Sequence, residues 1–142
     1  MDDIAGPPEK IFSVDEANQL LPQVKSLIEQ LQGLQSSILK TDQELSRLSE
    51  KLAAGNGYPI QEIKQEIQRL TEHQLNLVQV FETTIKQLEK MGCFLKDVGQ
   101  GLVDFYTIRE GELIFLCWHL GEDKIRFWHR PEDGFPGRQP LS

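Results

Sequence analysis

Through the first ninety or so residues apolar side chains recur every three or four positions; after that they alternate. From Ala17, one heptad position is filled by Ala17, Val24, Leu31, Ile38, Leu45 and Leu52, the other by Leu20, Leu27, Leu34, Thr41 and Leu48. Ten of these eleven are apolar, which is the pattern of a long helix with a coiled-coil seam. The helix opens at "SVDE": Ser13 with Glu16 three residues later is a capping box, and Asp15 suits the positive helix end. Pro22 removes one helical donor in the third turn and favours a bend there. "AAGNGYP" halts the helix with two glycines and puts Pro59 at the start of the next. The second helix carries Ile60, Ile63, Ile67, Leu70, Gln74, Leu77, Phe81, Thr84, Leu88 and Met91 at the same spacing. Two long amphipathic helices joined by a short loop predict an antiparallel helical hairpin.

The apolar stripe is widest near the open end of the hairpin, where Leu21, Ile28, Leu75, Val78 and Ile85 extend it. Toward the Gly-Asn-Gly tip little beyond Leu39 is added. The open end is therefore expected to pack on other parts of the chain and the tip to project. Folding about the loop also brings Thr41 toward Gln74, a pair suited to a polar, register-setting layer.

Beyond Met91-Gly92 the period falls to two. "VDFYTI" (103–108), "ELIFLCWH" (112–119) and "KIRFWH" (124–129) are rich in β-branched and aromatic residues, with Glu110-Gly111 and Gly121-Glu122 at hairpin-turn distance. The expected fold is α+β: a long antiparallel two-helix coiled-coil hairpin with a C-terminal three-stranded antiparallel β-meander packed at its base. It divides as a flexible lead-in (1–12), the hairpin (13–93) and the meander with its Pro/Gly-rich tail (94–142), one folded domain in all.

Two-residue turns would set the faces of the meander. One face would hold Val103, Phe105, Thr107, Ile114, Leu116, Trp118, Ile125, Phe127 and His129, and cover the hairpin. The other would hold Asp104, Tyr106, Ile108, Leu113, Phe115, Cys117, His119, Arg126 and Trp128. This second face reads first as a small core sealed by the tail, with Phe135 as plug and Asp104 paired to Arg126 or Arg138. Its functional reading is an exposed aromatic patch of Tyr106, Phe115 and Trp128 rimmed by charge, the composition of a binding hot spot.

Composition narrows the chemistry. A net charge of -7 with scattered basic residues argues against nucleic acid and against an anionic membrane surface. The longest apolar run, 113–118, is too short to span a bilayer, and the "MDDI" start is not a secretory signal. Two cysteines, Cys93 and Cys117, do not make a disulfide framework, so a cytoplasmic protein with reduced thiols is expected. In the expected register Cys117 and His129 point to opposite sides and cannot share an ion. No Cys-x-x-Cys or His-Glu-x-x-His motif is present, so neither a metal nor another cofactor is expected. A carboxylate–imidazole pair of Glu122 and His119, or a nucleophilic Cys117, is outweighed by a turn acid beside an edge histidine and a buried strand cysteine.

"FSVDEANQLLP", "KDVGQGLVDF", "LCWHLGE", "FWH" and "GFPGRQPL" together resemble the uncharacterised bacterial domain-of-unknown-function family 2203, from about Ile11 to Leu141. The resemblance implies a small cytosolic bacterial protein, helical hairpin first and β-rich segment last, and supplies no activity. It also implies a family pattern of Asp97, Gly101, Asp104, Phe105, Cys117, Trp118, Gly121, Glu122, Trp128, His129, Gly134, Gly137 and Arg138. The resemblance further implies that the family often has a basic residue where this chain has His119, which weakens a Cys117–His119 site.

The expected function is a non-enzymatic interaction module, an adaptor or assembly factor with an unidentified protein partner or a second copy of itself. Its arm would use Thr41, Leu45, Leu48, Ile63, Ile67 and Leu70, since a two-helix arm leaves each helix half exposed. The candidate binding residues on the sheet are Asp104, Tyr106, Phe115, Cys117, Glu122, Arg126, Trp128, His129 and Arg138. The alternative is a small-molecule-binding or metal-dependent enzyme with its site near Cys117, Glu122 and His129.

Overall fold

A computed structural model describes residues 10–55 and 57–142. In chain order it contains α1 (Val14–Ala54), α2 (Ile60–Lys90), β1 (Cys93–Asp97), β2 (Leu102–Arg109), β3 (Glu112–His119), β4 (Phe127–His129), a 3-10 turn (Phe135–Gly137) and β5 (Gln139–Pro140). Most of the expected lead-in, 1–9, lies outside the described residues, as does Asn56 at the helical turn. The end of that lead-in is core. Phe12 is buried, its N–H donates to the Tyr106 carbonyl at 2.8 Å, and its ring meets Phe105 edge-on at 5.3 Å.

Both halves of the capping box close: Glu16 N–H donates to Ser13 Oγ at 3.0 Å, and Ser13 N–H to Glu16 Oε1 at 2.9 Å. α1 runs unbroken through Pro22. The two helices pack together, and the chain divides into two compact units.

One unit is Gln30–Thr84. Its seam joins Leu45, Leu48 and Leu52 of α1 to Ile63, Ile67 and Leu70 of α2. Gln74 reaches across to α1, its amide donating to the carbonyl of Ile38 at 3.1 Å, one turn before buried Thr41. Leu75 and Val78, expected to pack inside, are exposed instead, at 62% and 37%. They follow the heptad only loosely and fall on the flank of the seam.

The other unit takes in residues 10–29 and 85–142 and holds an antiparallel sheet. The expected three strands are five, in the order β1-β2-β3-β4-β5. β1 follows directly on the end of α2, so its short "CFLKD" alternation was hidden by the helix before it. β5 is two residues long and contains a proline. Buried Val103, Phe105, Thr107, Ile114, Leu116 and Trp118 form one face of the sheet, with Cys93 of β1 beside Phe105. The start of α1 lies close by: Asn18 Oδ1 accepts from Ile125 N–H at 2.8 Å. A Cβ on Gly101, which sits at φ +68, would come within 2.7 Å of the Leu120 Cβ and 3.3 Å of Ile28. Only glycine allows that approach.

The β2–β3 register is the expected one, Arg109 opposite Glu112 and Asp104 opposite Cys117. Glu110 (φ 52) and Gly111 (φ 78) both have positive φ, as a type I′ turn requires. The β3–β4 register is not. Gly121-Glu122 is no two-residue turn but part of a loop from Leu120 to Arg126, which brings Phe115 opposite His129 and Leu116 opposite Trp128. The expected strand from Lys124 therefore begins only at Phe127. A one-residue slip turns every side chain of a strand over. Trp128 joins the first face, while Phe127 and His129 join Asp104 and Cys117 on the second.

Candidate functional site

The three central strands each deliver one member of a buried ionisable cluster to the second face. Asp104 and Cys117 are directly opposed on β2 and β3, and His129 on β4 is diagonal to Cys117. All three are buried, with exposures of 2%, 2% and 3% in that order. One potential ligand atom from each lies within 4.8 Å of the other two. The expectation that Cys117 and His129 stand on opposite faces is thus overturned by the slip at the β3–β4 loop.

The imidazole is held at both nitrogens. Its Nδ1 lies 2.8 Å from the Arg130 carbonyl, an acceptor only, so Nδ1 carries the proton. Its Nε2 lies 3.1 Å from Asp104 Oδ2, at the centre of the cluster. Burial is the largest influence on this ring and pushes its pKa down. The hydrogen bonds from Asp104 and Cys117, the Asp104 charge and the Arg130 carbonyl outweigh it and carry the pKa up to about 10. The Asp104 contact thus favours the protonated form of the His129 ring, with Cys117 beside the pair. Asp104 finds its partner in His129, not in Arg126 or Arg138.

Aromatic rings wall the cluster. Tyr106 and Phe115 stack at 4.5 Å, Phe94 meets each edge-on, and Phe115 lies 5.5 Å from the His129 ring. Tyr106 and Phe115 are 2% and 1% exposed, so the expected exposed aromatic patch does not exist on this face. Burial also raises the Tyr106 phenol pKa. Phe135 is the expected plug in part: it is 36% exposed and lines a cavity of about 160 Å³. The same cavity is lined by Asp104, Cys117 and His129, and by Lys96, Leu102, Pro131 and Gly134.

The other candidates serve the scaffold. Glu122 staples the β3–β4 loop: its Oε1 accepts from His119 N–H at 3.0 Å, its carbonyl from the Trp118 indole at 3.0 Å, and its Oε2 from Arg138. Arg138 stacks over Phe127 at 3.8 Å and Phe135 at 4.7 Å, tying the tail down. His119 Nε2 is 3.6 Å from Glu122 Oε2, outside the buried cluster. Arg126 is exposed and pairs with Asp123. Trp128 lies on the opposite face between Arg109 and Arg130. The proposed arm residues Leu45, Leu48, Ile63, Ile67 and Leu70 are engaged with one another inside the hairpin, and Thr41 is buried.

A family model described as "Uncharacterized conserved protein (DUF2203)" matches residues 10–141. The chain belongs to that family. Searches of curated proteins and of solved structures returned no match. The DUF2203 match spans every residue of the cluster and its cavity. Lys96, Leu102 and Pro131, which also line the cavity, are not marked as candidates by the sequence pattern. The signal for Lys96 was available: in "CFLKD" it alternates with the buried side of β1, two residues from Phe94. Nothing in the pattern of the tail marked Pro131.

Proposed function

We propose that this protein binds one divalent metal ion of the zinc class through Asp104, Cys117 and His129, leaving one coordination position toward the cavity. The observation that carries the reading is the convergence of the three ligand atoms within 4.8 Å in a buried setting. Around a tetrahedral zinc, bonded at ~2.0–2.3 Å, ligand atoms stand roughly 3.3–3.8 Å apart, so side-chain adjustments suffice. The Nδ1 contact to the Arg130 carbonyl is the outer hydrogen bond that metal-binding histidines use to present Nε2. A thiolate in the set favours zinc, cobalt or iron over magnesium or calcium.

Charge supports the same reading. Carboxylate, imidazolium and thiol sum to zero; so do carboxylate, neutral imidazole, thiolate and a divalent ion. Either state avoids burying a net charge. A Cys–His nucleophile is less well supported, because both Asp104 and Cys117 address the Nε2 side and the Arg130 carbonyl occupies Nδ1. A cytoplasmic setting fits, since Cys117 is a free cysteine and must stay reduced to ligate.

The test is calorimetric titration of zinc into chelator-treated protein, in two buffers of different ionisation enthalpy. We expect one ion per chain and about two protons released near neutral pH. Cys117→Ala and His129→Ala should each abolish stoichiometric uptake. Uptake unchanged in either variant, or none in the wild type, overturns the reading.

Self-association through the helical unit is a second reading, supported by Leu39, Leu75 and Val80 at 57%, 62% and 51% exposure. Sedimentation would show a dimer that Leu75→Glu dissociates. A monomer at every concentration would remove it.

A further inference from the structure

We infer that one flank of the helical unit, marked by Leu39, Leu75 and Val78, is the face on which a second copy of this chain docks. This rests on the self-association reading and gives it a surface and a pairing.

The flank follows from helix geometry. Within residues 30–84 the Gln74 amide donates to the Ile38 carbonyl at 3.1 Å, so these two positions face one another across the seam. One step along an α-helix turns about 100°, and the two helices run in opposite directions. Leu39 and Leu75, each one step past that crossing, therefore turn to the same side. They are 57% and 62% exposed, and Val78, a turn on from Leu75, is 37% exposed.

Charge separates this flank from the opposite one. On α1 it is lined by Gln35, Leu39, Asp42 and Ser46, and on α2 by Gln68, Thr71, Leu75 and Val78, all of them exposed. Asp42 is the one ionisable group among these, and Thr71 turns its hydroxyl back to the Ile67 carbonyl at 2.7 Å. With no Lys or Arg among them, neither nucleic acid nor an anionic membrane suits the surface. The opposite flank carries the Glu44–Arg47 and Glu66–Arg69 ion pairs. The Glu66 carboxyl is held below its ordinary pKa first by its hydrogen bond to Arg69, while the charge of Glu44 on the facing helix acts against that, so the two pairs are neighbours. Val80, six residues past the crossing and 51% exposed, turns to this charged side. Exposed ion pairs are well solvated and gain little from being covered, whereas leucine and valine gain by leaving water.

The register names the occupant. A second copy related by a two-fold axis parallel to the helices sets each α1 on the other copy's α2, a four-helix bundle with antiparallel neighbours throughout. Because Gln74 stands level with Ile38, Leu39 and Leu75 differ in height by about two residues, roughly 3 Å. Leu39 of each copy then meets Leu75 of the other, and Gln35 falls opposite Val78. Asp42 falls between Thr71 and Gln68, whose amide can donate to it. No charge meets a like charge. Residues 30–54 of α1 run about 37 Å and two helices side by side are about 20 Å wide, so the flank covers roughly 700 Å². Stable complexes bury about 800 Å² per partner.

The experiment is sedimentation equilibrium of the full chain, with circular dichroism to show that each variant keeps its helices. Wild type should form a dimer that Leu39→Glu and Leu75→Glu each weaken about tenfold or more. Val80→Glu adds the same charge on the other flank and should leave the dimer unchanged. Mixed under oxidised glutathione, Leu39→Cys and Leu75→Cys chains should cross-link to each other faster than either does to itself. A dimer dissociated by Val80→Glu, or untouched by Leu39→Glu and Leu75→Glu, overturns this flank and leaves self-association standing. Faster cross-linking of like with like overturns the two-fold pairing. A chain monomeric at every concentration overturns the self-association reading and this inference together.

Discussion

Among the described residues between 30 and 84 the buried side chains are Leu31, Thr41, Leu48, Ile63, Leu70 and Thr84. On the second face of the sheet they are Leu102, Asp104, Tyr106, Phe115, Cys117 and His129. In the helical unit each polar intruder with a described bond closes on backbone: Thr84 Oγ1 donates to the Val80 carbonyl at 2.7 Å, and Gln74 to that of Ile38. Those carbonyls belong to the helices themselves. The ionisable groups of the sheet close on one another. Burying charge is costly unless it is paired, and pairing with side chains of matching reach leaves ligand atoms converging on one point.

The largest effect expected from breaking this contrast is at Asp104. Asp104→Ala leaves the His129 imidazole without its carboxylate in a buried place, a loss of about 3 kcal/mol, near the low end for a broken buried pair because the ring can shed its proton. Urea denaturation in the presence of chelator measures it, and zinc uptake should vanish in the same variant. A change under about 1 kcal/mol would mean that the pair is solvated and that the two interiors do not differ as argued.

Leu48→Ala is the matching cut in the helical unit. Leu48 is buried against Leu45, Leu52, Ile63, Ile67 and Leu70, so its truncation should lower stability by about 2–3 kcal/mol. Zinc stoichiometry should stay at one per chain. Loss of zinc binding with folding intact would tie the two regions together.

These two cuts also mark where the residues alone were informative. Ser13 and Glu16, the heptads, and the Glu110-Gly111 turn act through neighbours in sequence, so the hairpin and the β2–β3 register could be read directly. Gly121-Glu122 mimicked such a turn. Its true loop is set by contacts far along the chain: Asn18 on the Ile125 N–H and Arg138 on the Glu122 carboxylate. Pattern cannot see those, and one residue of slip was enough to separate His129 from Asp104 and Cys117 on paper. All three are candidates in the sequence reading; only His129 is assigned to the wrong side of the sheet. Lys96 was lost for a related reason, since β1 is short and begins where α2 ends.

Titration sharpens the contrast further. In the metal-free chain His129 has its pKa raised from 6.5 to about 10, burial opposing and the Asp104, Cys117 and Arg130 contacts prevailing. The folded state then keeps a proton that the unfolded state gives up near 6.5. The stability from this group is fully present below that pH and is lost as pH rises toward 10. The slope is at most about 1.4 kcal/mol per pH unit. The zinc-loaded chain should behave in the opposite sense, losing stability as acid returns protons to His129 and Cys117 and expels the ion. Melting curves from pH 6 to 10, with zinc and with chelator, should cross in slope. Parallel curves would count against the cluster as the zinc site. Asp104→Asn should flatten the metal-free curve.

The smallest effect tests whether the helical unit needs its polar crossing. The Gln74 amide donates to the Ile38 carbonyl, but its Oε1 is buried with no protein partner. A carbonyl inside α1 already serves the helix, so the Gln74 bond satisfies an acceptor that was not in want of a donor. The orphaned Oε1 carries a desolvation penalty with nothing to offset it. Gln74→Leu removes that penalty, fills similar volume and continues the apolar seam, so the urea midpoint should rise by the equivalent of about 1 kcal/mol. Gln74→Ala should lower it by a similar amount, because it leaves a void where Leu fills one. Should Gln74→Leu destabilise instead, the crossing would be a register device whose removal admits a shifted hairpin. The seam would then owe its order to a polar contact, as the sheet cluster does.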